Sequence, residues 1–124
     1  MQAILLMAGG AIGTYLRFQI AGRVQSASDG SFPVGTLTVN IVGAFVAGII
    51  ATVLLERTNI PVELRMALLV GLLGGFTTFS AFSLETLTLT NQGAWGLAAL
   101  NVLASVSAAL IAVWAGQSVA RLWS

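Results

Sequence analysis

Most of the chemistry this chain can do is concentrated in Gly71-Leu-Leu-Gly-Gly-Phe-Thr-Thr-Phe-Ser-Ala-Phe-Ser-Leu-Glu85. Glycines, two threonines, two serines, three phenylalanines and a carboxylate interrupt a segment otherwise apolar enough to cross a membrane. Lipid offers no hydrogen bonds, so each polar or unwound group there needs a protein, water or ion partner. A helix built only to pack would not carry this load. The stretch reads as the lining of a site for something small and polar.

Phe79 and Phe82 are three apart and lie near one helix face; Phe79 and Ser83, and Thr78 and Phe82, are four apart. An aromatic ring is negative on its face and positive at its edge. Ring edges can therefore contact an anion while excluding water, and Ser, Thr and Asn donors can replace part of its hydration shell. Plain core packing is the competing account of these phenylalanines.

Other polar residues fall inside apolar runs. Asn40 follows Gly35-Thr-Leu-Thr-Val, with Thr36 one turn before it on the same face. An unpartnered buried amide is costly, so Asn40 is either a pathway ligand or glue between helices. Glu85 falls late in its segment, near a mouth. It either faces a pathway or is an interfacial charge meeting Arg17 or Arg23. Asn101 and Ser105 are four apart and form a thin polar stripe, which either completes a pathway or stitches helices together.

The elements that must position these residues follow from hydropathy. The chain has 124 residues, 57% hydrophobic and 7% charged. Soluble domains run near 25% charged, so bilayer is the solvent this surface suits. Four apolar segments, about 2–20, 35–55, 62–90 and 94–122, each reach the roughly 20 residues a crossing helix needs. The expected fold is all-α integral membrane, one four-span domain over residues 1–124. Pro61 is placed to open the third helix. Adjacent Gly74-Gly75, followed by Thr77-Thr78, predict a break in the third span, because adjacent glycines lose the most entropy in a helix. Met1 to Gly10 lacks a basic leader and reads as the start of a retained span.

Several function classes are excluded. There is no Cys or His, all five cations are Arg, and none cluster as nucleic-acid binding requires. The four acids, Asp29, Glu56, Glu63 and Glu85, mostly fall in or near loops. No nucleophile–base pair or carboxylate pair follows, so the chain is not expected to be an enzyme.

With four spans both termini share a side. That side carries Arg57, Arg65 and Arg121; the other carries Arg17 and Arg23. Orientation follows the Lys/Arg excess in short loops, and here the excess is a single residue. Either other signals decide the orientation or the chain inserts both ways, and the second option permits an antiparallel homodimer. Gly9 with Gly13, and Gly71 with Gly75, form G-x-x-x-G pairs, while Gly43, Ala44, Ala47 and Gly48 give the second span a small-residue face.

The chain resembles the Fluc family of small bacterial fluoride channels. Gly9-Gly-Ala-Ile-Gly-Thr-Tyr-Leu-Arg17, Gly35-Thr-Leu-Thr-Val-Asn-Ile-Val-Gly43 and the Gly71–Glu85 stretch carry the resemblance, in the family's order and spacing. It implies a passive fluoride channel in the bacterial plasma membrane, built as an antiparallel, dual-topology homodimer. It implies that Phe79 and Phe82 contact fluoride beside Asn40. Ser80 and Ser83 offer hydroxyls along the route, and Thr36 and Glu85 lie close to it. Ser105 is taken as the fourth span's contribution. The resemblance also implies a structural sodium ion between subunits, held by the main-chain carbonyls of Gly74 and Thr77 from both copies. One departure is Ala81, where the family usually has Thr. The alternatives are a proton-coupled multidrug-type exporter, which needs an acid in the first span that residues 2–16 lack, and a structural subunit of a membrane complex.

Overall fold

The structure is a computed structural model and describes residues 1–57 and 59–123. Helices joined by short connections account for them, with no strand among the described residues. They form four helical spans, each long and apolar enough to cross a membrane. Helix α1 is Gln2–Ser26 and α2 is Val34–Glu56. The third span comprises α3 (Val62–Met66), a π-helical stretch (Ala67–Leu73), α4 (Gly74–Phe76) and α5 (Phe79–Asn91). Helix α6 is Trp95–Arg121. Many of these residues are β-branched, yet they are helical because a helix satisfies its backbone within one segment. At about 1.5 Å per residue, the 23 residues of α2 exceed the roughly 30 Å of a hydrocarbon core.

The first helix outruns its apolar stretch. Residues 21–26, expected to lie at or in a connection, continue α1 to Ser26. Membrane thickness limits the apolar run, not the helix, and interfacial polar side chains prolong it. Ser26 Oγ donates to the Gly22 carbonyl at 2.8 Å. Gln25 then organises the turn into α2: its Nε2 donates to Phe32 O at 3.0 Å, and its Oε1 accepts from Gly35 N–H at 3.0 Å. Within that turn Asp29 Oδ1 accepts from Ser31 N–H at 3.0 Å and Ser31 Oγ at 2.8 Å. These two bonds hold the Asp29 carboxyl below its ordinary value.

The turn from α5 to α6 closes differently. Gly93 has φ +78°, Gly93 N–H bonds Thr90 O, and Ala94 N–H bonds Leu89 O at 2.8 Å. This pairing, with a left-handed residue after the cap, is a Schellman motif and favours glycine.

Backbone-close seams hold the bundle, among them two built on several glycines. In the first, α1 crosses the third span glycine against backbone. A Cβ at Gly75 would sit 2.6 Å from Gly10 O, and one at Gly13 would collide with Leu72 O. In the second, α2 crosses α6: a Cβ at Gly48 would strike Val113 O, and one at Gly116 would strike Phe45 O. Close approach maximises dispersion where lipid competes for apolar contacts. The small residues of α2 therefore do not form one interface. Gly48 faces α6, whereas a Cβ at Gly43 would strike Thr77 Cγ2 in the third span.

Candidate functional site

One face of α2 serves the third span over successive turns. Thr36 Oγ1 donates to Glu85 Oε1 at 2.6 Å. One turn on, Asn40 Nδ2 donates to Thr78 O at 3.0 Å and Asn40 Oδ1 accepts from Thr78 N–H at 2.8 Å. Next, Gly43 leaves the space that Thr77 fills.

This pairing matters because of the local backbone. Gly74, expected at the loss of helix, keeps helical dihedrals (φ −63°, ψ −36°). Extended dihedrals fall instead at Thr77 (φ −87°, ψ 158°) and Thr78 (φ −150°, ψ 116°). In a continuous helix Thr78 N–H would bond Gly74 O, and Ala81 N–H would bond Thr77 O. Here Thr78 N–H goes to Asn40, and Ala81 N–H goes to Thr78 Oγ1 at 3.1 Å. The helical donors of the Gly74 and Thr77 carbonyls are thus both diverted to side chains. The neighbouring Gly75 carbonyl accepts from Arg17 Nε at 3.0 Å.

Two concavities meet at this point. A groove of about 540 Å³ is lined by Asn40, Thr77, Thr78, Phe79, Phe82 and Ser105, among others. A second, of about 280 Å³, is lined by Arg17, Gln25, Thr36, Thr78 and Glu85. Thr78 borders both. The Phe79 and Phe82 rings lie 5.3 Å apart at 45°. Phe82 is buried, whereas Phe79 is 76% exposed on the single chain.

Glu85, weighed as the partner of Arg17 or Arg23, bonds Thr36, and its Oε2 is buried with no hydrogen-bond partner among the described residues. Arg17 lines the same concavity but spends its Nε on the Gly75 carbonyl.

Hydroxyl protons can be assigned from the acceptors around them. A carbonyl oxygen only accepts, so Ser83 Oγ donates to Phe79 O at 2.9 Å. Thr36 gives its proton to Glu85. Thr78 and Ser80 share a bond at 3.2 Å. Two protons serve that one bond, which leaves one free in the pair. Asn40 Nδ2 has two protons and spends one on Thr78.

In α6, Asn101 is buried and donates from Nδ2 to Thr86 Oγ1 at 2.9 Å, while Ser105 Oγ donates to Asn101 Oδ1 at 3.2 Å. The stripe therefore stitches α6 to α5, and Ser105 also reaches the groove. Sequence reasoning missed Thr86, Gln25 and the bond from Arg17 to Gly75. The first and last pair residues on different helices, for which no spacing within one helix is a signal. The Gln25 bonds close a turn whose course the sequence did not specify.

Residues 4–117 match the family model described as CrcB-like protein, Camphor Resistance (CrcB). The chain belongs to the CrcB family. The matched range contains every CrcB residue of the groove and the second concavity named above. Relatives carry the name fluoride-specific ion channel FluC. One from Geobacter sulfurreducens is 48% identical over 112 residues, covering 90% of each chain. One from Geobacter metallireducens is 50% identical over 112 residues, again 90% of each. One from Magnetococcus marinus is 43% identical over 122 residues, 98% of this chain and 99% of the relative. CrcB membership and four apolar spans together make this a multi-pass membrane protein.

Proposed function

We propose that this chain is a fluoride-selective passive channel of the bacterial plasma membrane, which lowers fluoride toxicity by letting the ion leave the cytoplasm down its electrochemical gradient. The observation that carries the reading is the 48% identity, over 90% of both chains, to a relative named for fluoride conduction. The site's chemistry supports it: the donors and phenyl rings of the groove, which no cation lines among the described residues, suit a small anion that must lose its water, and Arg17 lines the neighbouring concavity.

The route runs from the concavity of Thr36 and Glu85, past Thr78, into the groove of Asn40, Phe79, Phe82 and Ser105. Asn40 offers its second Nδ2 proton, and the Thr78–Ser80 pair offers its free hydroxyl proton. Ser83, whose proton is spent on Phe79 O, lies beside the route. Phe79 and Phe82 present positive ring edges. Dehydration into such a file replaces water by fixed groups, as carbonyls do in other filters. A larger halide gains less from donors spaced for fluoride.

The functional unit is an antiparallel, dual-topology homodimer. Supporting this are the one-residue arginine bias, the exposed Phe79 ring and the exposure of Gly74, where an added Cβ would meet nothing within 4 Å. The carbonyls of Gly74 and Thr77 are the proposed sodium ligands, contributed by both copies. They fit the role, since hard cations take oxygen ligands and their helical donors are engaged elsewhere. Bound there, sodium would supply positive charge and tie the subunits together.

The test is efflux from liposomes containing the purified chain, followed with a fluoride electrode beside matched chloride-loaded vesicles. Fluoride efflux without chloride efflux is expected in sodium buffer, with a marked loss when N-methylglucamine replaces sodium. No fluoride efflux from folded protein in sodium would sink the reading.

A further inference from the structure

Asn101 is only 2% exposed, and the groups around it fix where three protons lie. The Phe82 carbonyl can only accept, so Thr86 Oγ1, 2.8 Å away, gives it its single proton. Thr86 Oγ1 then accepts from Asn101, which places Nδ2 toward Thr86 at 2.9 Å. Oδ1 of the same amide therefore faces Ser105, at 3.2 Å, and Ser105 must donate to it. Every bond in the relay points one way, from Ser105 through Asn101 and Thr86 to the Phe82 backbone.

Ser105 lines the groove, but its one proton is committed to Asn101. Toward the groove it can present only lone pairs. Lone pairs repel an anion and accept from water. We propose that Asn101 is a positioning residue: oriented by Thr86, it holds the Ser105 hydroxyl as an acceptor, so that Ser105 binds water at the groove wall and does not bind the ion. This rests on the fluoride reading and refines it. Asn101 lowers the groove's affinity for the anion at that level, which favours release over trapping.

The experiment measures fluoride conductance against fluoride concentration in planar bilayers, using the full-length chain in sodium buffer. Thr86→Val removes the acceptor that orients the amide. The amide turns, Nδ2 donates to Ser105, and the Ser105 proton is freed toward the groove. Half-saturating fluoride then falls by about tenfold, the scale of a hydrogen bond donated to a charged group. Thr86→Ser keeps the hydroxyl and restores the parent value. In a Ser105→Ala background Thr86→Val produces no such fall. An unchanged half-saturation in Thr86→Val, or a fall that persists without Ser105, overturns the proposal.

A second readout needs no conduction. The side-chain amide resonances of Asn101, in protein labelled with ¹⁵N-asparagine, shift in Thr86→Val and in Ser105→Ala and hold in Thr86→Ser. Resonances unmoved by either of the first two substitutions overturn the relay. A parent chain without fluoride conductance refutes the channel reading, while the amide resonances still decide whether the relay exists.

Discussion

Asn40 holds Thr78 by both of its backbone groups, donating to the carbonyl at 3.0 Å and accepting from the N–H at 2.8 Å. A side-chain amide thereby replaces the partner that a neighbouring turn of helix would have supplied. It gives the extended Thr78 the backbone partners that lipid cannot supply.

Replacing Asn40 with Leu strands both Thr78 groups. Thr78 is half-buried, and a polar group left unpaired away from water costs about 1–3 kcal/mol. Thermal unfolding in detergent should fall accordingly, and fluoride efflux should fall by more than tenfold, about 1.4 kcal/mol in barrier terms. Efflux within twofold of the parent would contradict the assignment of Asn40 to the route.

The two phenylalanines should separate. Phe79 is exposed on the single chain and Phe82 is buried. Phe79→Ile should therefore lower fluoride efflux with little loss of thermal stability. Phe82→Ile should lower efflux and also stability, by about 1–1.5 kcal/mol, as shape-changing core swaps do. Equal stability losses, measured on matched preparations, would count against this division.

Glycine substitutions should sort by what a Cβ meets. At Gly116 it strikes the Phe45 carbonyl, a backbone atom that cannot swing away, whereas at Gly96 nothing lies within 4 Å. Gly116→Ala should destabilise by about 1–3 kcal/mol through overpacking. Gly96→Ala should be neutral or slightly stabilising, since alanine is the better helix former. Thermal unfolding of the two variants side by side checks the contrast.

Asp29 supplies a pH prediction outside the membrane. Its carboxyl is depressed below 3.8 by the bonds from Ser31. A depressed carboxyl contributes stability that is complete above the unfolded value and lost as pH falls through the folded one. Any contribution of this turn should therefore be constant from neutral pH down to about 4 and disappear only below that. Ser31→Ala should raise the Asp29 titration midpoint, which NMR of the carboxyl carbon would read.

Much of the architecture was determined by sequence alone. Four apolar runs dictate four helices because hydrocarbon leaves the backbone no other partner. The Gly71–Glu85 stretch had to need partners, since its polar groups outnumber what a lone helix can satisfy. Asn40, Thr36 and Glu85 were legible as residues needing explanation for the same reason. Tertiary structure decided who answers each need. Glu85 pairs with Thr36 across helices, Arg17 goes to the Gly75 carbonyl, and Thr86 orients Asn101. Thr77 and Thr78 have extended dihedrals while Gly74 keeps helical ones, and the Thr78 N–H goes to Asn40. Periodicity encodes which residues share a face of one helix. It does not encode which turn of a second helix that face will meet, because rotation and depth are set by backbone contacts such as Gly13 on Leu72.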